Sequence, residues 1–331
     1  IACAAADETN LVVCNVAHDV FNVPTTIARL RSPEFTEGEE EGEHLARTSF
    51  SVSHVICPEE SVMRYIHQLI SYPEALQVLE FADGRASLIA VRAARGGALV
   101  GHTIGEIRER FPQAEMRVVA LYRLDTEVEA TPQTRILEGD EVFVLADTQK
   151  IRQVLGAVHN IDKPVRRLMI AGGGKVGLRL ARSLEGQCEV KIIERDIKRC
   201  EYLASQLPSS MLVLHGDGTD EDLLQDEQVG EMDLFLALSS DDEDNILAAM
   251  LAKRLGANRV IALINRRAYA DMMQGSTIDI AISPSHTVIG ELLAHLRRGD
   301  VAQVHSLRRG AAEAIEGIAR GDVKTSKLVG R

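Results

Sequence analysis

Several features are missing from the sequence, and each absence narrows what the chain can be. It has no basic tract and a formal net charge of −12, so sequence-independent nucleic-acid binding is not expected. No apolar run approaches the roughly 20 residues a helix needs to span a bilayer. The N-terminal IACAAA lacks a basic stretch and is not a secretory signal. It also lacks an initiator Met, and we expect a fragment with both ends missing. The five cysteines, Cys3, Cys14, Cys57, Cys188 and Cys200, form no C-x-x-C pair. Most sit in apolar or helical patterns, as small core residues do, and a reducing, cytoplasmic compartment fits them best. No cluster of His, Cys or paired acids has metal-ligand spacing, so no metal site is expected, His44 among its neighbouring acids included. There is no G-x-x-x-x-G-K-[ST] motif for P-loop hydrolysis, and no S-x-x-x-Y-x-x-x-K set.

What is present centres on residues 167–194. The apolar run Leu168 to Ala171 ends in Gly172-Gly173-Gly174-Lys175-Val176-Gly177, a G-x-G-x-x-G that opens a helical pattern. A second apolar run, Val190 to Ile193, ends in Glu194, 20 residues after Gly174. Strand, glycine loop, helix, strand and acid at this distance predict a βαβ unit that binds a dinucleotide. Gly172 makes the turn, Gly174 lets a pyrophosphate reach the backbone, and Gly177 lets the helix pack close to the sheet. The helix N-terminus, Lys175 and Val176 included, offers N–H groups and a positive dipole end to phosphates. Glu194 would accept hydrogen bonds from the adenosine ribose. Next come a helix at 198–206 and a third strand at 211–215, which ends in Gly216-Asp217-Gly218-Thr219-Asp220. A fourth strand, 233–239, ends in Ser239 ahead of an acid-rich helix start. Strand ends at this edge face the ligand crevice, which places Asp217, Gly218, Thr219 and Ser239 there. Thr219 or Asp220, and Ser239 or Asp241, are also suited to capping the helices that follow.

Residues 1–72 become readable beside 236–298. ACAAADETNLVVCNVAHDV pairs with LALSSDDEDNILAAMLAKRL, placing Asn10 opposite Asn245; TTIARLR pairs with VIALINR; HVICPEESVMRYIHQLI pairs with DIAISPSHTVIGELLAHL, placing Pro58 opposite Pro284. Even ALQVLEF at 75–81 matches VAQVHSL at 301–307. A whole domain is repeated. The expected class is α/β, with Rossmann-like doubly wound parallel-sheet domains in tandem, alternating with small α+β domains. We expect 1–72 to be the C-terminal half of a first nucleotide domain, 74–160 a small α+β domain, 165–300 a complete second nucleotide domain, and 301–331 the start of a second small domain. The acid- and Gly-rich stretch 34–49 reads as a solvated loop, and 148–158 as a closing helix.

GGGKVG, IIERD, HGDGTD, SDDEDNILAAMLAK and IDIAISP, in this order and on this repeat, resemble the KTN/RCK domain family of potassium transport. The tandem order is similar to that of the peripheral NAD-binding subunits of bacterial Trk-type uptake systems. The resemblance covers essentially the whole chain, with 74–158 matching the family's RCK C-terminal domain. It implies a regulatory subunit and not an enzyme: a cytoplasmic homo-oligomer, a tetrameric ring, docked on a membrane potassium-transporting subunit at the inner face of the inner membrane. Residue by residue it implies Gly172, Gly174 and Gly177 as the glycine loop, Glu194 as the ribose acid and Asp217 as the acid of the GD element. The family often carries an Arg in the fifth strand; the first copy has Arg29 and Arg31, whereas the second has Leu263. Arg195 would tolerate a 2′-phosphate but Glu194 would repel one, so NAD or NADH is favoured over NADPH, with ATP or ADP as other adenine ligands. The alternative is an NAD-dependent oxidoreductase. Its acid–base group would have to be His215 or His286, both of which sit at turns.

Overall fold

The computed structural model describes residues 1–32, 35, 40–110, 116–124, 126–151, 155, 164–273, 277–296, 301–307 and 312–317. The chain divides into two compact units, one of residues 1–64 with 168–331 and the other of 65–167.

The first unit opens with helix α1 (Asp7–Asp19) and strand β1 (Ile27–Arg29). Helix α2 (Glu40–Ser49), strand β2 (His54–Ile56) and helix α3 (Pro58–Ser71) follow. β1 and β2 pair parallel, and Ala2 bridges to Ala28 on the other side of β1. Helix α2 corrects, over 40–49, the expectation of a solvated loop at 34–49; residues 34 and 36–39 lie outside the described residues. Ala46 is fully buried and joins Leu11, Cys14, Ala28, Leu30 and Val52 in one apolar cluster.

The second compact unit holds a five-stranded antiparallel sheet. Its strands are β3 (Ala75–Phe81), β4 (Ala86–Arg92), β5 (Arg117–Arg123), β6 (Thr126–Val128) and β7 (Glu141–Asp147), ordered β3-β4-β7-β5-β6. Helix α4 (Ile104–Arg110) covers it through Ile107. Asp140, 1% exposed, accepts both Arg123 nitrogens at 2.8 Å and the Leu137 N–H at 2.8 Å. A single turn at Thr148–Lys150 closes the sheet, and Ile151 and Leu155 enter the core. Most of the helix expected at 148–158 lies outside the described residues.

The first unit resumes with strand β8 (Arg167–Ala171), helix α5 (Lys175–Ser183), strand β9 (Glu189–Glu194) and helix α6 (Ile197–Gln206). Strand β10 (Leu212–His215), helix α7 (Glu221–Asp226), strand β11 (Leu234–Ala237) and helix α8 (Asp242–Arg254) follow. Strand β12 (Arg259–Leu263), helix α9 (Arg267–Met273), strand β13 (Ile280–Ile282) and helix α10 (Pro284–Leu296) complete the layer. The sheet order is β10-β9-β8-β11-β12-β13. β8 and β11 are continuous apolar runs because helices cover both faces of a parallel sheet. The order reverses between β8 and β11, which is where such a sheet opens a ligand crevice. Beyond α10, β14 (Val301–Leu307) and β15 (Ala312–Gly317) form an antiparallel pair; residues 318–331 lie outside the described residues.

One set of hydrogen bonds occurs twice. Asn245 Oδ1 accepts the Ser239 N–H at 2.8 Å, and its Nδ2 donates to Ser239 O at 3.0 Å and Leu263 O at 2.8 Å. Asn10 Oδ1 accepts the Ala4 N–H at 2.6 Å, and its Nδ2 donates to Ala4 O at 3.0 Å and Arg29 O at 2.7 Å. Asp242 accepts the N–H groups of Asn265 and Arg266, as Asp7 accepts those of Arg31 and Ser32. The β1–β2 register, Ile27 against His54, is matched by Ile261 against Ile280. In both places a buried Asn ties the segment that leads into its own helix to the end of the next strand.

Candidate functional site

The crevice is built on the loop between β8 and α5. Gly172 has φ +113°, and a Cβ there would stand 2.7 Å from Ser239 N and 2.8 Å from the Leu238 carbonyl carbon. Only glycine meets both conditions. A Cβ on Gly177 would strike the Gly172 carbonyl oxygen, so this residue sets how closely α5 approaches the turn. Gly173 is a position the fingerprint leaves open. A side chain there would collide with Leu203 of α6. Gly174 is different: a Cβ on it meets nothing within 4 Å. It borders open space at the helix N-terminus, where the first-turn N–H groups have no intrahelical partners. That is the cradle a pyrophosphate requires.

Glu194, at the end of β9, turns toward this loop. Its Oε2 accepts the Gly173 N–H at 2.8 Å and its Oε1 the Asp196 N–H at 3.0 Å. Each carboxylate oxygen retains acceptor capacity for a ribose hydroxyl. Asp217 follows β10. Its Oδ1 accepts the N–H and the hydroxyl of Thr219 at 2.9 and 2.8 Å, and its Oδ2 lies 2.7 Å from Arg195 Nη2. Burial pushes the Asp217 carboxyl up, but the two Thr219 bonds and Arg195 outweigh it and hold it below the ordinary range. Gly218 brings its loop against β8: a Cβ there would stand 2.7 Å from Ala171 Cβ. The Ser239 N–H is bonded to Asn245, and its hydroxyl lies 3.2 Å from the Asp241 N–H. Asp241 and Asp220, not Ser239 or Thr219, accept the N–H groups that cap α8 and α7.

Gly172, Gly174, Gly177, Glu194, Arg195, Asp217, Gly218, Thr219 and Ser239 therefore come together along one sheet edge. Val176 contributes its backbone, since its side chain is buried. The Lys175 side chain leaves the group: its Nζ lies 3.4 Å from the carbonyl oxygen of Arg31, so only its backbone faces the crevice. Arg195 is shared, with its Nη2 also 3.0 Å from Asp244 Oδ2 in the first turn of α8. His215 Nε2 lies 3.0 Å from the Arg195 carbonyl oxygen. The side chain of His286 lies outside the described residues. Sequence reasoning missed Arg199, whose Nε donates to Gly173 O at 2.7 Å while its guanidinium lies over the Tyr202 ring. Its signal was its place three residues after the cap Asp196, on the helix turn that faces the glycine loop. Among the described residues no group of three or more His, Cys, Asp or Glu is placed to hold a metal ion. No helix among them is long and apolar enough to cross a membrane.

Residues 168–284 match the TrkA-N domain and 88–157 the TrkA-C domain. The whole chain aligns with the Trk system potassium uptake protein TrkA of Vibrio alginolyticus at 47% identity, over 72% of that protein's length. The chain belongs to the TrkA family. Other TrkA relatives include that of Halomonas elongata, 46% identical over all of this chain and 72% of its own length. The TrkA protein of Azorhizobium caulinodans is 34% identical with the same coverage. Among solved structures, the RCK domain of GsuK superposes with a TM-score of 0.60 at 18% identity, covering 88% of this chain and 61% of that one. A structure described as the GsuK channel bound to NAD gives 0.58 at 17%, covering 88% and 50%. The TrkA-family chain thus shares the RCK fold.

Proposed function

We propose that this chain is the nucleotide-binding regulatory subunit of a Trk-type potassium uptake system, with NAD or NADH as its ligand and ATP or ADP as competing adenine nucleotides. The observation that carries this is the open space at Gly174 beside the N-terminus of α5, at the same sheet edge where Glu194 ends β9 and Asp217 follows β10. Gly172, Gly174, Gly177 and the first-turn amides of Lys175 and Val176 hold the pyrophosphate. Glu194 receives the ribose hydroxyls and disfavours a 2′-phosphate, Asp217, Gly218, Thr219 and Ser239 line the adenosine side, and Arg195 spans the crevice mouth between Asp217 and Asp244. The bound nucleotide is a signal here and not a reactant. The TrkA relatives, named for potassium uptake, and the NAD-bound GsuK channel of the same fold support this reading over an NAD-dependent oxidoreductase.

The repeated Asn and Asp hydrogen bonds support 1–72 as the C-terminal half of a first nucleotide domain and 165–300 as a second. On the same reading 74–160 is the first RCK C-terminal domain and 301–331 begins the next. We also infer assembly as a homo-oligomeric, tetrameric ring on the cytoplasmic face of a membrane potassium-transporting subunit, a reading that membership of the TrkA family supports. Helix α5 supplies the route from ligand to partner domain. Its N-terminus faces the crevice, while Arg179 Nη1 contacts Cys57 Sγ at 3.1 Å and Lys175 reaches Arg31. A ligand that prefers one placement of α5 shifts the arrangement of the two copies by that preference and no more. Titration with NAD, NADH, ATP and ADP, joined to small-angle scattering and potassium flux with the membrane subunit, tests this. Gly174→Glu should abolish binding, and Arg179→Ala should keep binding but lose the scattering change. Unchanged affinity in Gly174→Glu removes the site, and steady NADH consumption with a carbonyl substrate would instead favour the oxidoreductase.

A further inference from the structure

Arg195 follows β9, and Asp244 stands in the first turn of α8 after β11. In the sheet β8 lies between β9 and β11. The Arg195–Asp244 ion pair, 3.0 Å long, therefore passes over the carboxyl end of β8, above the glycine loop. On its other side the same Nη2 holds Asp217 at 2.7 Å. One guanidinium is thus tied to two carboxylates across the mouth of the crevice. The main chain of Arg195 is fixed by the hydrogen bond of its carbonyl to His215, so the side chain alone has to move.

Both contacts are similarly exposed, by a third or more at each partner, and pairs of that kind are weakly held and easily exchanged; what separates the two carboxylates is how each is held. The Asp217 contact belongs to a fuller network, because Thr219 fixes that carboxylate. The two ends are unequal, and Asp244 is the one that lets go.

We propose that Arg195 is a specificity-determining residue of this crevice. On ligand binding it exchanges the Asp244 carboxylate for the phosphate chain of an adenine nucleotide, and Asp217 keeps it aimed. Asp244 competes with the ligand for one positive charge. Its effect is therefore largest on ligands whose phosphates carry the most charge, so that it holds back nucleoside triphosphates more than a dinucleotide. This rests on the nucleotide-site reading above and adds to it what sets the choice between nucleotides.

The experiment is calorimetric titration of the chain with NAD and with ATP, for the parent, Asp244→Asn, Arg195→Gln and Gly174→Glu, at two salt concentrations. Asp244→Asn keeps the backbone N–H that Asp241 caps, so α8 remains intact. Asp244→Asn should tighten ATP by about threefold or more, the scale of one exposed ion pair, and NAD by less. Arg195→Gln should weaken ATP more than NAD and flatten the salt dependence of ATP binding. Circular dichroism confirms that each variant is folded. The proposal is overturned if folded Asp244→Asn binds ATP no more tightly than the parent, or if Arg195→Gln changes neither ligand. If Gly174→Glu binds like the parent, the site itself is misplaced, which is a separate failure.

Discussion

Gly172 and Gly174 belong to one motif, yet alanine at each should fail in a different way. Gly174 has φ −66° and ψ −166°, a backbone that L-residues adopt without strain, and its Cβ would enter open space. Gly174→Ala should leave stability within about 0.5 kcal/mol of the parent. The methyl stands instead where a pyrophosphate approaches the first-turn amides of α5. A hydrogen bond to a charged group is worth about 1.5–3 kcal/mol. Losing two costs about 3–6 kcal/mol, a factor on the order of 10² to 10⁴ in affinity. Gly172→Ala inverts this pattern. Its φ of +113° is unfavourable for alanine, and the methyl would overlap the Leu238–Ser239 peptide at 2.7–2.8 Å. Strain of about 1–3 kcal/mol plus overpacking of about 1–3 kcal/mol should lower stability by about 2–6 kcal/mol. The chain has no Trp, so urea unfolding is followed by circular dichroism, with NADH titration in parallel. If Gly174→Ala binds NADH like the parent, or unfolds as readily as Gly172→Ala, the assignment of open space to the ligand is wrong.

The remaining predictions concern what holds the site and its neighbours. Asn245→Ala removes three hydrogen bonds from a residue 1% exposed. It should cost about 2–4 kcal/mol in urea unfolding and weaken NADH binding, because Ser239 and the end of β12 lose their tie. Asp140→Ala removes both Arg123 contacts and the Leu137 N–H partner, leaving Arg123 its bond to the Arg135 carbonyl, and should destabilise by about 3 kcal/mol. Burial acts on the Asp140 carboxyl most and raises it, but Arg123 and the Leu137 N–H outweigh that and hold it below the usual range. Its stabilisation is thus present above the unfolded carboxylate pKa and is lost as pH falls through the lower folded value; Asp140→Asn should flatten this acid limb. Burial raises the Glu291 carboxyl, which lies 2.9 Å from the Ser61 hydroxyl. Its contribution is complete below the ordinary carboxylate pKa and is lost as pH rises through the raised folded value. Glu291→Gln should therefore gain stability relative to the parent at neutral pH and show none of that loss, measured by melting temperature from pH 4 to 8.

The β8–α5–β9 unit was legible because three independent signals coincide there: an apolar run of strand length, glycines at fixed spacing, and an acid at the next strand end. The repeat was legible through Asn10, Asn245, Pro58 and Pro284. The stretch 34–49 was not. Among the described side chains of helix α2, the small residue Ala46 enters the apolar cluster around Leu30 and Val52. Charge content masked a helix that depends on that one contact face. The direction of the Lys175 side chain was equally hidden, since position in the motif fixes the backbone and not the rotamer. Partners such as Arg195 with Asp244, far apart in the chain, follow only from the strand order.

Four of the described contacts between residues 168–296 and residues 1–64 indicate the scale on which a ligand could act. Arg179 meets Cys57, Lys175 meets Arg31, Glu291 meets Ser61, and His295 stacks on His54 with ring centroids 3.7 Å apart. Hydrogen bonds of this kind contribute about 1 kcal/mol each. A change that made or broke all of them would move a two-state equilibrium by a few kcal/mol, the usual size of a coupling free energy. That suffices to turn a minor arrangement into the major one but not to lock it. Two of the contacts, through Lys175 and Arg179, come from the helix whose N-terminus borders the proposed nucleotide site. Ligand position and copy-to-copy geometry therefore share one rigid element, and the response should be graded by how each nucleotide seats against α5, not only by how tightly it binds.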